Sequence, residues 1–204
     1  MEKTKLKIIL LGDSGVGKTS LLKRYNDKDF KQLHNSTIYV DLVTKEICIA
    51  ERQVILQIWD TAGQERFKSL PSRFYRDTDC CVLVYDVNTL KTFESIDNWH
   101  DEFIKQANPE TPTKFPFVLM GNKTDVNNGK PRVVAKEIAD QWCGSKGNIV
   151  YFETSAKAKI NVEEAFLEIA KKALTNERQI DDMERYRSVV PTIEKETPRS
   201  RCSC

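Results

Sequence analysis

Apolar positions along the chain come in runs of two periods. Leu6-Lys7-Ile8-Ile9-Leu10-Leu11, Asp79–Val87 (DCCVLVYDV), Phe115–Met120 and Ile149–Phe152 are short, nearly continuous apolar runs. Such runs read as strands covered on both faces. Val40–Ile49 and Val54–Trp59 read as two further strands joined by a short turn at Ala50–Gln53, which makes them an antiparallel pair at a sheet edge. Between them lie helical spacings. One helix starts at about Ser20, a second carries Phe93, Ile96, Phe103, Ile104 and Ala107, and a third carries Ala135, Ile138, Ala139 and Trp142. Val162, Ala165, Phe166, Ile169, Ala170 and Ala173 give the cleanest helical period in the chain. Strands alternating with helices predict an α/β fold with about six mostly parallel strands, one antiparallel edge strand, about five helices and no internal repeat. From about Asn176 the period is lost and Pro191 and Pro198 appear, which reads as a helix end followed by disorder.

Composition changes this picture little. The 204 residues carry 40% hydrophobic residues and a net charge of +2. That is enough for one core plus a tail, and no basic run interleaved with aromatics points to nucleic acid. No apolar stretch resembles a signal peptide or approaches the roughly 20 residues of a bilayer span, so the chain reads as cytosolic. Cys48, Cys80, Cys81 and Cys143 fall in apolar stretches and are expected to be buried and reduced, and no C-x-x-C pair suggests zinc.

The chemistry gathers after the strands. Gly12-Asp13-Ser14-Gly15-Val16-Gly17-Lys18-Thr19, followed by Ser20, is G-x-x-x-x-G-K-[ST] between a strand and a helix. Its backbone N–H groups and the helix N-terminus suit phosphate. Lys18 is expected on the β/γ-phosphates and the Thr19 hydroxyl on Mg²⁺. Trp59-Asp60-Thr61-Ala62-Gly63-Gln64 supplies the second acidic element. Asp60 is expected to hold the Mg²⁺ hydration shell, the Gly63 N–H to meet a γ-phosphate and Gln64 to orient an attacking water. Asn122-Lys123-Thr124-Asp125 and Ser155-Ala156-Lys157 select the base. The Asp125 carboxylate accepts from guanine N1–H and the 2-amino group, and adenine would leave it unpaired, which favours GTP over ATP. The backbone of Ser155–Lys157 is expected to meet guanine O6. Thr37 supplies a hydroxyl for Mg²⁺ and an N–H for the γ-phosphate, and Phe30 covers the guanine edge.

Together GDSGVGKT, Thr37, WDTAGQE, NKTD and SAK resemble a small Ras-type GTPase of the P-loop class. WDTAGQERF, Phe74-Tyr75-Arg76 and the ending Cys202-Ser203-Cys204 resemble the Rab branch, and DCCVLVYDV and FPFVLMGNK its late-endosome and vacuole members, most closely the plant RabG group. The resemblance implies a monomeric G domain over 1–175 and a flexible tail over 176–204. It implies a switch on GTP/GDP that controls vesicle traffic, with slow hydrolysis in which Gln64 and Lys18 take part. It also implies an exchange factor, a GTPase-activating protein, a GDP-dissociation inhibitor, an escort protein and effectors or tethers. Cys202 and Cys204 would each take a geranylgeranyl group, anchoring the chain on the cytoplasmic face of endomembranes, since two lipid chains give stable attachment where one does not. Tyr39, Leu42, Trp59 and Phe74 would face effectors. Leu42 replaces a Phe usual in the family, Tyr39 stands where Rabs usually carry Gly, and His34 stands where a Tyr is frequent, which implies altered effector selectivity. The alternative class is a nucleotide-loaded scaffold with negligible hydrolysis.

Overall fold

The computed structural model describes residues 4–26, 40–62, 71–126, 132–147 and 149–189, the last twelve of these by backbone alone. Its strands are β1 (Thr4–Leu11), β2 (Val40–Ile49), β3 (Arg52–Thr61), β4 (Cys80–Asp86), β5 (Phe117–Asn122) and β6 (Val150–Glu153). They form a sheet in the order β2-β3-β1-β4-β5-β6. Only β2 and β3 pair antiparallel, as their tight connection demands, and the remaining pairs are parallel. The helices are α1 (Lys18–Asn26), α2 (Leu90–Glu94), α3 (Ile96–Ala107), α4 (Lys136–Ser145) and α5 (Val162–Val189).

The side-chain alternation of a strand splits the core between the two faces. Leu6, Ile8 and Leu10 of β1 join Val82 and Val84 of β4 under α1 and α5, where Tyr25 stacks on Phe166 with centroids 4.1 Å apart. Ile9 and Leu11 face the other way with Cys81, Leu83 and Tyr85, against Phe103 of α3 and Ala139 of α4. Both faces of β4 are thereby filled, and all of its residues are buried.

The elements match the sequence pattern with four differences. The β2–β3 turn is confined to Ala50 and Glu51, both at positive φ (45° and 66°), so β3 (Arg52–Thr61) runs longer than its apolar positions while β2 keeps its expected bounds. The helix expected through Phe93 and Ala107 is divided at Ser95, whose hydroxyl bonds back to the Lys91 carbonyl (2.9 Å), a contact that bends helices. Cys48 is exposed while Cys80, Cys81 and Cys143 are buried. It lies on an edge strand, on the face shared with exposed Thr44 and Glu46, which its own hydrophobicity could not reveal. Finally, α5 continues past Asn176 to Val189.

Parallel strands leave all their C-terminal ends on one edge of the sheet. The loops after β1, β3, β4, β5 and β6 therefore converge there, where doubly wound sheets bind ligands.

Candidate functional site

The phosphate loop is shaped by what its glycines avoid. A Cβ on Gly12 would lie 2.1 Å from the Val84 carbonyl oxygen, so no larger residue lets β1 leave the sheet so close to β4. Gly17 sits at φ 101°, where a Cβ would meet the Asn122 amide at 2.4 Å. Gly12, Asp13, Ser14, Gly15, Val16 and Gly17 thus form the turn, and Lys18, Thr19 and Ser20 open α1, where a helix start directs backbone N–H groups toward an anion.

Lys18 is 5% exposed. Its ammonium donates to the Gly12 carbonyl (2.7 Å) and the Asp13 carbonyl (3.0 Å). Burial lowers its pKa to about 8, against the opposing pull of the Asp60 and Asp13 carboxylates. A cation this poorly solvated gains strongly from an anion placed beside it. Asp60, near the end of β3, is 1% exposed and accepts from the Thr19 hydroxyl (2.5 Å). A hydroxyl and a buried carboxylate brought together at a phosphate loop are the oxygen donors that a hard divalent cation takes, so the residues present fit Mg²⁺.

Asn122 does more than the sequence suggested. Its amide donates to the Val16 carbonyl (2.9 Å) and its Oδ1 accepts from the Ala156 N–H (3.2 Å) and the Thr154 hydroxyl (3.5 Å). At 1% exposure it joins the phosphate loop, the end of β5 and the loop after β6. Lys123 sits at φ 69°, and its ammonium pairs with Asp86 at the end of β4 (2.9 Å). That pair holds the loop in the left-handed turn that leads to Asp125. The Asp125 carboxylate accepts from the Ser155 hydroxyl (2.6 Å), which in turn accepts from the Ala158 N–H (2.8 Å). Arg24 of α1 donates to the carbonyls of Ala156 (2.7 Å) and Lys157 (3.2 Å), fixing this loop from below. The structure therefore brings Gly12–Ser20, Asp60, Asn122, Lys123, Asp125 and Ser155–Lys157 to one edge. Phe30, Thr37, Tyr39, Gly63, Gln64, Cys202 and Cys204, like His34, lie outside the described residues.

Asp86 and Trp99 were not foreseen. The Trp99 indole N–H, from α3, donates to the Asp13 carboxylate (2.8 Å), tying the phosphate loop to a helix 86 positions away. Trp99 has no motif around it, and its place beside Ile96 and Phe103 on the apolar stripe of α3 gives no sign of a role at the site.

Of the four expected partner-facing residues, the three that are described lie together. Leu42 is cross-strand to Trp59 and 43% exposed, and Trp59 meets Phe74 edge-on with centroids 5.7 Å apart. The Trp59 indole N–H is buried without an acceptor among the described residues.

Comparison with known proteins agrees with this geometry. Residues 7–175 match the model of the Ras family. The chain is 56% identical to the Ras-related protein Rab7 of Vigna aconitifolia, over 99% of this chain and 98% of that one. It is 60% identical to RABG3b of Arabidopsis thaliana over 88% of each chain, and 53% identical to RABG3a of the same plant over 99% of this chain and 98% of that one. The chain belongs to the Ras family, as a Rab GTPase of the Rab7/RabG branch.

Proposed function

We propose that this GTP-binding switch of vesicle traffic works with Mg²⁺ held by Thr19 and Thr37, with Asp60 behind them through water. The observation that supports this reading best is the Thr19–Asp60 hydrogen bond beside the buried Lys18 ammonium. When bound, the ion neutralises charge on the β- and γ-phosphates. The residues of the chain do the rest. The N–H groups of the phosphate loop hold the phosphate oxygens, and Lys18 turns from the Gly12 and Asp13 carbonyls to the β/γ-phosphates. Gln64 orients the water that attacks the γ-phosphorus, and the Gly63 N–H meets the γ-phosphate. Asp125 reads the guanine edge that Phe30 covers. Asn122 acts by holding the loops in register more than by touching the base.

Switching sets the conformation of the segments that contain Thr37 and Gln64, and so what Leu42, Trp59 and Phe74 present. The partners are an exchange factor, a GTPase-activating protein, a GDP-dissociation inhibitor, an escort protein and effectors or tethers. The chain divides into a G domain over 1–175 and a tail over 176–204. Geranylgeranyl groups on Cys202 and Cys204 hold it on the cytoplasmic face of late-endosomal or vacuolar membranes. Replacing both cysteines with serine is expected to release it from membranes, and a persistent membrane fraction would refute the anchor.

The test of the chemistry is the nucleotide content and single-turnover hydrolysis of the purified protein, with and without Mg²⁺ and with Gln64→Leu in parallel. Bound guanine nucleotide and slow, Mg²⁺-dependent hydrolysis that the variant loses are expected. Equal hydrolysis by both proteins would remove Gln64 from the mechanism.

A further inference from the structure

At the opposite end of the sheet from the nucleotide loops there is a cleft of about 570 Å³. That is within the size range of small-ligand sites. It is bounded by the residues before β5, by Lys146, Gly147 and Ile149 between α4 and β6, and by one side of α5. Phe117 lines the cleft and opens β5, while Asn122 closes the same strand, so the two sites are about 17 Å apart along it.

The charge of this cleft is lopsided. Lys114, Lys146, Lys171 and Lys172 line it against one carboxylate, Glu168, in a chain whose overall charge is only +2. Lys146 is paired with Asp97 (2.8 Å) and Lys171 lies 3.7 Å from Glu168. Lys114 and Lys172 have no carboxylate partner among the described residues. These two ammoniums come from different walls, one from the turn before β5 and the other from α5. A small monovalent anion meets one wall, whereas an anion with several charged groups meets both. Lysine serves as a point-charge partner of phosphate.

The aromatic residues narrow the class further. Phe115 and Phe117 line the cleft, yet their rings pack on each other (5.3 Å between centroids) and Phe115 packs on Phe103 (4.8 Å). They are engaged in the core, which disfavours stacking of a nucleobase. Thr113, Thr175 and Asn176 also line the cleft and add hydroxyl and amide groups, which suit a ligand rich in hydroxyls.

We propose that this cleft binds a multiply phosphorylated cyclic polyol, the chemistry of an inositol polyphosphate, whether free or as the headgroup of a membrane lipid. The site is separate from the nucleotide site and does not depend on hydrolysis.

The test uses the full chain loaded with guanine nucleotide. Inositol 1,4,5-trisphosphate is titrated by calorimetry, with inorganic phosphate as the comparison. In parallel, phosphatidylcholine vesicles containing a phosphatidylinositol bisphosphate are compared with phosphatidylserine vesicles of equal charge. The trisphosphate is expected to bind at least tenfold tighter than phosphate, and the combined variant Lys114→Gln, Lys172→Gln to lose at least tenfold. Lys23→Gln with Lys91→Gln, which removes the same charge elsewhere, is expected to bind as the parent does. Retained guanine nucleotide reports that each variant is folded. Selective retention on bisphosphate vesicles assigns the ligand to the membrane, and trisphosphate binding without it assigns a soluble ligand. Either outcome supports the cleft. No preference for the trisphosphate over phosphate, or equal binding by the Lys114/Lys172 variant, overturns it.

Discussion

Replacing Asn122 with alanine should cost the protein its stability as well as its nucleotide. The side chain is almost wholly enclosed and makes near-ideal bonds to the Val16 carbonyl (2.9 Å) and the Ala156 N–H (3.2 Å), with a longer one from Thr154 (3.5 Å). Truncation leaves a backbone acceptor and a backbone donor buried and unpaired, each costing about 1–3 kcal/mol. A water entering the space recovers part of this, which leaves a net loss of about 3 kcal/mol. That is a large share of the roughly 5–15 kcal/mol typical of a domain. Asp125 provides the contrast, because it is only half-buried and its described partner is the Ser155 hydroxyl. Asp125→Ala should therefore lose guanine binding while costing under about 1 kcal/mol of stability. The assay is urea unfolding of the nucleotide-stripped proteins, paired with release rates of a fluorescent guanine nucleotide. Asn122→Ala should unfold at lower urea and release nucleotide at least tenfold faster. The reasoning fails if Asn122→Ala stays within about 0.5 kcal/mol of the parent, or if Asp125→Ala loses as much stability.

Other perturbations follow from the same contacts. Burial raises the Asp79 carboxyl to about 6, in spite of the hydrogen bond it accepts from the Lys7 N–H (2.7 Å). The folded chain therefore keeps a proton between about pH 4 and 6 that the unfolded chain releases, so stability falls as pH rises through that window. Asp79→Asn should remove this slope, matching the parent near pH 4 and exceeding it by about 2 kcal/mol above pH 6 in urea titrations; a gain independent of pH would refute the cause. Ala50→Asn with Glu51→Gly should raise the urea midpoint, worth about 1–2 kcal/mol, because both positions need positive φ; an unchanged midpoint would mean the turn stores no strain. Trp99→Phe removes the bond to Asp13, worth about 1–2 kcal/mol at a charged acceptor, and should speed nucleotide release several-fold with the fold intact by circular dichroism. Unchanged release would make that bond idle.

Much of this molecule is visible in its sequence because its strands are covered on both faces. Continuous apolar runs such as DCCVLVYDV mark buried strands whatever lies around them, and the phosphate loop fixes which end of the sheet carries the site. What escaped depends on partners far along the chain. Asn122 reads as a base contact because its neighbours Val16 and Ala156 are adjacent only after β1, β5 and β6 align. Trp99 reads as an ordinary helix residue because nothing local marks Asp13 as its acceptor. Cys48 reads as core because hydrophobicity cannot tell an edge strand's open face from its covered one. The helix through Phe93 and Ala107 reads as continuous because the bend at Ser95 comes from a side-chain hydroxyl, which periodicity does not register. The end of α5 lies beyond the apolar pattern for a related reason, since a helix already nucleated on the core needs no further apolar period to continue.

That continuation makes α5 a mast. The last of its described side chains buried in the core is that of Leu174, and its axis runs on to Val189, about 22 Å beyond at 1.5 Å per residue. The fifteen residues that follow could add at most about 50 Å. With the proposed anchor at the chain end, the nucleotide-reading edge is carried on a helical spar with fifteen further residues in series. The spar alone adds about 22 Å of stand-off, so a partner docked on the switch face gains that clearance from the bilayer before the residues beyond it are counted. Shortening the spar would therefore change which partners fit beneath the G domain, even though no residue that touches them had been altered.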